Sequence, residues 1–314
     1  MRVPREMAPI RIRFAGYQGK GSIHTRAAQA FGAALQRRMG DRVAFELEDN
    51  ILAHGHKSGD LLPMVARGDE TMCYISTIRF SAELPDFKTF ELPFVIGDRA
   101  RVFQALDGAP GRALTEQLHA ATPYRVLGFW DNGFRHITNR LRPIHTPSDC
   151  QGMRIRTQMS EFIGETFRLI GFEPVALDIK TFLDSLESAE TGSVDAQENP
   201  LTTILNFDIP KVHPHLTLTG HFFGVTLFLC NAAIFDTWSQ DLREAVRLAA
   251  AEATEMQRAL AIAQDEEGLD NLARAGVAIV RLDDTERAAF AKSVAPLMER
   301  HVADFGSTLL DQLT

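Results

Sequence analysis

An arginine and an asparagine in the middle of the chain carry the donors that a carboxylate ligand needs. Arg156 ends a predicted short strand, and Asn199 stands before Pro200 in a predicted turn. A guanidinium is a planar fork of donors and an amide adds a donor and an acceptor, so the two together make a carboxylate receptor. This pattern favours binding of a small organic acid. The alternatives are an ion pair of Arg156 with Glu161 or Asp195, and a simple turn role for Asn199.

A second cation follows another predicted strand, Tyr124 to Trp130, which runs into Gly133 and Arg135. At the end of a strand, Trp130 would supply a stacking wall, Gly133 a close backbone approach and Arg135 a second guanidinium. Packing in the core is the alternative for Trp130, because one buried face serves packing as well as stacking.

Polar side chains also follow other predicted strands. Arg79 lies just beyond a buried strand, Thr71 to Ser76, where the loops of α/β sheets meet ligands. A solvated surface arginine is the alternative. Tyr17, His24 and Ser76 are candidates for polar ligand contacts because they lie at loop ends.

The sequence leaves the chemical nature of the acid open. Arg79 with Arg135 indicates a second anionic or hydroxyl-rich group, as in a sugar acid or a dicarboxylate, whereas Trp130, Phe134 and Phe223 would suit an aromatic acid. The predicted ligand-binding residues are Arg156, Asn199, Arg135, Arg79, Trp130, Tyr17, His24, Ser76 and Phe223.

Strands and helices alternate along the chain, which predicts an α/β fold. Ile10, Ile12 and Phe14 alternate with arginines, as in a half-buried strand, and a helical pattern follows. From Ser239 to about Asn271 a further helical pattern is too long for a single small lobe.

Composition excludes some classes of protein. The 314 residues are 45% hydrophobic and 24% charged, which is typical of a globular protein with two lobes. The formal net charge is -8 and basic residues form no long run, which argues against nucleic acid as a partner. No segment is long and apolar enough for a membrane span. We expect that an export signal is either absent or removed.

Neither a metal nor a cofactor is expected. His213, His215 and His221 have irregular spacing for a metal site. The glycines Gly16, Gly19 and Gly21 do not keep the order of a dinucleotide-binding loop, and we expect them to let the backbone approach a ligand. Three separated cysteines, Cys73, Cys150 and Cys230, predict isolated buried thiols.

An enzyme acting on a carboxylated substrate through His24 or His136 is the competing class. The sequence has no nucleophile elbow, no Walker loop and no H-E-x-x-H motif, which favours a binding protein without catalysis.

Four motifs occur in a characteristic order. They are FWDNGFR from Phe129 to Arg135, RPI from Arg142, the stretch from Pro147 through Gly152 to Arg156, and GSVDAQENP from Gly192 to Pro200. Together they resemble the solute-binding proteins of tripartite ATP-independent periplasmic (TRAP) transporters, the family that includes binders of four-carbon dicarboxylates. The resemblance covers nearly the whole chain, with ELPF from Glu91 to Phe94 in the expected place.

The resemblance implies roles at matching positions. Arg156 matches the signature arginine that pairs with the ligand carboxylate, and Asn199 matches the asparagine that meets the same carboxylate. Arg135 matches a ligand contact of some members, and Arg79 a position where certain sugar-acid binders use an arginine. Ala196 stands where a glycine is usual, which could alter the turn that aims Asn199.

The resemblance also implies a fold and a function. We expect a two-lobe periplasmic binding protein of type II with a long helix across both lobes, residues 10–133 with 225–264 in one lobe and 134–224 with 265–314 in the other. The ligand cleft would lie between the lobes. The implied function is capture of a small organic acid by lobe closure in the periplasm and delivery to the small and large membrane subunits. A cytosolic or surface-attached protein serving a sensor is a further alternative.

Overall fold

The computed structural model describes residues 8–187, 194–301 and 307–313. Within these ranges the strands are β1 (Ile10–Ala15), β2 (Val43–Glu48), β3 (Met72–Ser76), β4 (Tyr124–Asn139), β5 (Arg154–Thr157), β6 (Glu173–Ala176), β7 (Ala196–Pro200), β8 (His215–Leu218), β9 (Phe223–Asn231) and β10 (Ala278–Arg281). The α-helices there are α1 (Ile23–Met39), α2 (Leu61–Arg67), α3 (Arg99–Asp107), α4 (Ala109–Ala121), α5 (Glu161–Ile170), α6 (Ile179–Glu187), α7 (Leu201–Asn206), α8 (Ala232–Thr237), α9 (Gln240–Arg274), α10 (Asp284–His301) and α11 (Ser307–Leu313). The predicted alternation of strands and helices is therefore present.

Local sequence explains several of these elements. In β1 the apolar side chains Ile12 and Phe14 are fully buried, as their alternation predicts. Ser22 caps α1 by accepting a hydrogen bond from the backbone N–H of Thr25. After Asp98 the chain forms two helices, α3 and α4, because Pro110 lacks the N–H that would continue the first one.

Strand β4 joins two groups of strands. In the first group the order is β2-β1-β3-β9-β4, and in the second β4 is followed by β7, β5 and β6. β4 pairs antiparallel with β9 from Tyr124 to Phe134 and with β7 from Arg135 to Asn139. β8 lies on the other side of the second half of β4 and pairs with β10. We call the elements around these two sheets the first and the second lobe. The predicted lobe boundaries stay a prediction.

Helix α9 reaches both lobes. Its 35 residues correspond to a length of about 52 Å. Ala249 and Ala253 pack into the core of the first lobe together with Phe31 of α1. Further along, Gly268 lies against Leu205 of α7 so closely that a Cβ atom there would be 2.6 Å from Leu205 Cδ1. The predicted long helix is present, and it bridges the two sheets.

The three cysteines are free and buried, as predicted. In the described residues no group of three or more potential ligating side chains could hold a metal ion. None of the helices described here has the length and hydropathy that crossing a membrane requires.

A buried cleft with one arginine free of carboxylate partners

A chamber of about 480 Å³, its mouth included, lies between the two lobes. The first lobe and the β4 crossing contribute Tyr17, Ser58, Ile75, Ser76, Arg79, Asn132 and Arg135, and the second lobe contributes Arg156, Gln158, Met159, Leu177, Ile179, Asn199 and Thr203. Six of the predicted residues are therefore brought together, namely Arg156, Asn199, Arg135, Arg79, Tyr17 and Ser76.

Arg156 comes from the inner strand β5, which lies between β6 and β7. Its side chain is 3% exposed, and its Nε donates to the carbonyl of Leu177 at 2.8 Å. Burial lowers the pKa of Arg156 to about 10, which still leaves the guanidinium charged at neutral pH. In the described part of the chain no residue bonds its Nη1 or Nη2 atom.

The alternative ion pairs of Arg156 are not formed. Glu161 lies near Arg168, with 3.8 Å between Oε1 and Nη1, and Asp195 pairs with Arg140. Neither of these two carboxylates therefore compensates the charge of Arg156.

Asn199 is a strand residue and not a turn residue, so the sequence expectation was wrong on this point. It lies in β7 opposite His136 of β4. Its Oδ1 accepts from Arg135 Nη2 at 3.2 Å, and its Nδ2 donates to Gln197. An amide nitrogen carries two hydrogens, so Asn199 keeps one donor for the chamber.

Arg135 is paired with a buried carboxylate. Its Nη2 donates to Glu198 Oε1 at 2.8 Å and to the carbonyl of Glu198 at 3.0 Å. Burial alone would raise the pKa of Glu198, but the charge of Arg135 and the hydrogen bond from His221 lower it to about 2. With its amide oxygen facing the guanidinium, Gln158 accepts from Arg135 Nη1 at 3.1 Å. The predicted second cation thus lies in the cleft wall with its charge compensated.

Arg79 bonds across the cleft. Its Nη2 donates to Asp178 Oδ2 and to Ser58 Oγ, at 2.9 Å in both cases. The hydroxyl of Ser58 also donates to Asp178 Oδ2 at 2.8 Å. Ser58 and Arg79 belong to the first lobe, while Asp178 lies between β6 and α6 of the second. This cluster therefore connects the lobes at the chamber wall, and Arg79 is not a solvated surface residue.

Tyr17 and Ser76 line the chamber from the ends of β1 and β3. The backbone N–H of Tyr17 donates to the hydroxyl of Tyr74 at 3.1 Å. A Cβ atom at Gly16 would lie 2.6 Å from Cε1 of Tyr74. This glycine therefore allows a close approach to a core tyrosine and not, as expected, to a ligand.

Trp130 does not line the chamber, which corrects its predicted role as a stacking wall. Its ring is fully buried and stacks on Phe14, with 6.3 Å between ring centroids. Its Nε1 donates to Thr254 of α9 at 3.0 Å. Side chains alternate between the faces of a strand, and that of Trp130 lies on the face covered by α9.

His24 and Phe223 also lie outside the chamber lining. The ring of His24 stacks on Tyr74, and its Nδ1 lies 3.0 Å from Gln18 Oε1. Burial lowers the pKa of His24 to about 3, so the ring is neutral. Phe223 packs edge-on against Phe103 in the core of the first lobe. Both are packing residues, and Phe134 is absent from the described lining as well.

His136, the other histidine considered for catalysis, is also buried away from the chamber. Its Nδ1 accepts from the N–H of Gly220 at 3.1 Å, and burial lowers its pKa to about 3. Among the described lining residues there is no imidazole, so neither histidine is placed to act as a general base there.

Sequence reasoning missed Ser58, Gln158, Asp178 and Glu198. Gln158 had a signal, because it stands two residues after Arg156 and side chains two apart along an extended chain share a face. Glu198 also had one, as the immediate neighbour of Asn199. Ser58 and Asp178 had none, since their role depends on the contact between the lobes.

The fold and the cleft define the class of a two-lobed solute-binding protein with a site for a carboxylate. The model of the DctP family, described as bacterial extracellular solute-binding protein, family 7, matches residues 14–304, and the chain belongs to this family. The predicted relationship to TRAP solute-binding proteins is thereby confirmed. The family's proteins serve transport and are not enzymes.

Several characterised proteins are similar over most of the chain. The 2,3-diketo-L-gulonate-binding periplasmic protein YiaO of Escherichia coli is 29% identical over 269 residues, 85% of this chain and 79% of YiaO. The C4-dicarboxylate-binding periplasmic protein DctP of Rhodobacter capsulatus is 25% identical over 307 residues, 97% of this chain and 90% of that protein.

Solved structures confirm the predicted fold class. The sugar acid binding protein DctPAm of Advenella mimigardefordensis, crystallised with galactonate, has a TM-score of 0.90 at 27% identity and covers 98% of this chain and 99% of its own. A TRAP periplasmic solute-binding protein of Sulfurospirillum deleyianum with bound succinate has a TM-score of 0.89 at 24% identity, covering 98% and 99%, and is similar in fold.

Proposed function

We propose that this protein captures a small organic acid between its lobes and delivers it to a TRAP transporter. The observation that carries this proposal is Arg156, a buried guanidinium in the chamber wall that has no carboxylate partner among the described residues. A buried cation is costly unless it is paired, so the site is built for an anion that arrives from outside.

Arg156 also links binding to closure of the lobes. If the cleft closes over Arg156 without a ligand, the uncompensated charge of the guanidinium is removed from water, which costs free energy. A ligand carboxylate on Nη1 and Nη2 offsets that cost by a bidentate pair, so it stabilises the closed form over the open one. The free amide hydrogen of Asn199 would fix the plane of the same carboxylate.

The cluster of Ser58, Arg79 and Asp178 would hold the closed form. The hydrogen bonds from Ser58 and Arg79 to Asp178 connect the two lobes, and the bond from Arg79 to Ser58 lies beside them within the first lobe. Separation of the lobes would expose all three side chains to water. The arrangement fits hinge closure around a ligand, with contacts that form only in the closed state.

Membership of the family supports a proposal for location and partners. The family is extracytoplasmic, and we propose the periplasm as the compartment of this chain. Its partners would be the small and the large membrane subunits of the transporter, which would recognise the closed, ligand-bound form.

The proposal is tested by a thermal-shift screen of the purified protein against hexuronates, aldonates, dicarboxylates, keto acids and aromatic acids. An acid at about 100 times its dissociation constant stabilises the folded protein by about 2.7 kcal/mol, a shift of several degrees. Neutral polyols with the same chain length as the acids are the control ligands. If polyols shift the midpoint as much as acids do, or if no acid is bound or released on denaturation, the proposal is wrong.

A further inference from the structure

The charged groups of the chamber do not balance. In the described lining the charged side chains are Arg79, Arg135 and Arg156. Two of them have a carboxylate partner: Arg135 is bonded to Glu198, and Arg79 to Asp178. Arg156 has none. The site therefore carries a single uncompensated positive charge.

We infer that the cleft selects acids with one carboxylate and a hydroxylated or carbonyl-bearing chain, and that Asp178 is the residue that excludes a second carboxylate. The inference rests on the proposed function and makes its substrate class specific.

Asp178 is held in its ionised form beside Arg79. Burial alone would raise the pKa of Asp178, but the N–H of Lys180, the hydroxyl of Ser58 and the charge of Arg79 lower it. Its Oδ1 accepts from the N–H of Lys180 at 3.0 Å. A second carboxylate on the ligand would approach Arg79 beside a negative charge that is already in place, and like charges at such short range repel.

Transfer of Arg79 from Asp178 to the ligand would not solve this problem. It would leave Asp178, whose side chain is 10% exposed, with neutral hydrogen-bond partners alone. Removing one partner of a largely buried ion pair is costly, because the other charge is left uncompensated. The pair of Arg79 and Asp178 is therefore a fixed part of the wall.

The rest of the lining is suited to hydroxyl and carbonyl oxygens. Neutral donors and acceptors line it: Tyr17, Ser58, Ser76, Asn132, Gln158, Asn199 and Thr203. Hydroxyl and amide groups both donate and accept, so they match the hydroxyl groups of a sugar acid. The apolar members are Ile75, Leu177, Ile179 and Met159, and Tyr17 is the aromatic one in the described lining. This composition does not fit an aromatic acid.

The test compares acids that share a carbon skeleton and differ by one carboxylate. Titration calorimetry would measure gluconate against glucarate, galactonate against galactarate, and erythronate against meso-tartrate. In each pair whose monocarboxylate binds, we expect that monocarboxylate to have an affinity at least about tenfold higher than that of its dicarboxylate. In Asp178→Asn the ratio should fall by about tenfold or more, because Arg79 then lacks its counterion.

Asp184→Asn is the control. Asp184 lies on α6, the helix that directly follows Asp178, and pairs with Lys180 at the surface, so the ratio should equal that of the wild type. Looser lobe closure in Asp178→Asn would weaken both acids of a pair together and leave their ratio unchanged. An unchanged ratio therefore overturns the role of Asp178, and a dicarboxylate that binds the wild type as tightly as its partner overturns the selectivity. Failure of every acid in the panel to bind would instead overturn the proposed function.

Discussion

The Nε atom of Arg99 lies 2.9 Å from Oδ2 of Asp131, at the irregularity where β4 passes from the first sheet to the second. The same guanidinium also pairs with Asp265 of α9. Arg99 is therefore the counterion of two carboxylates where β4 crosses between the lobes. Of these two, Asp131 is fully buried.

This arrangement predicts a pH dependence of stability. Burial raises the pKa of Asp131 from 3.8 to about 7, against the opposing charge of Arg99. A raised carboxyl pKa favours folding while the group is protonated, so this contribution is complete below pH 3.8 and is lost as the pH rises through about 7. The variant Asp131→Asn, which is always neutral, should gain stability relative to the wild type between about pH 5 and pH 8.

Thermal unfolding of both proteins across that range measures the effect. Buried His24 and His136, with pKa values lowered to about 3, act in the opposite direction as the pH falls, but they do so in both proteins. The difference between the two midpoints therefore isolates Asp131. A difference that stays constant with pH would contradict the prediction.

Arg156 should dominate the affinity for the acid. Arg156→Ala is expected to cost about 2 to 5 kcal/mol of binding, because the ligand carboxylate is left without its charged partner in a desolvated cleft. The affinity of Arg156→Lys should lie between those of the wild type and Arg156→Ala, since an ammonium keeps the charge but lacks the planar fork. Titration calorimetry with the acid found in the screen measures both. Arg168→Ala, on the exposed side of α5, is the control, and an Arg156→Ala affinity within about twofold of it would refute the role.

Glu198 should matter for folding even without a ligand. Glu198→Gln removes the counterion of Arg135, which is 1% exposed, and should cost about 3 to 5 kcal/mol of unfolding free energy. The double variant Arg135→Met with Glu198→Leu should recover most of this loss, because no charge is then buried alone.

Urea denaturation measures these free energies. The exposed pair of Glu165 and Arg300 provides the control, and Glu165→Gln should change stability by less than about 1 kcal/mol. If the double variant is as unstable as Glu198→Gln, the cost does not come from the uncompensated charge of Arg135.

The sequence predicted the parts of the fold and site that depend on local order. The strand and helix alternation, the long helix and the place of Arg156 at the end of a short strand follow from patterns of a few residues. Trp130 is predicted to meet the ligand because it lies at a strand end, and Phe223 because its ring would suit an aromatic acid. The face on which a strand side chain lies, however, depends on what covers that strand. Asp178 is 99 residues away from Arg79 in the chain, and their pairing depends on how the lobes meet.

Strand β4 has a consequence for how the molecule comes apart. The first and the second sheet both include it, so neither sheet is complete without residues of the same continuous segment. Helix α9 adds a second shared element, buried against the first lobe and in contact with α7 of the second. Two lobes that share a strand and a helix cannot be separated by a single cut into halves that each keep a whole sheet. We therefore expect the two lobes to unfold together rather than one after the other.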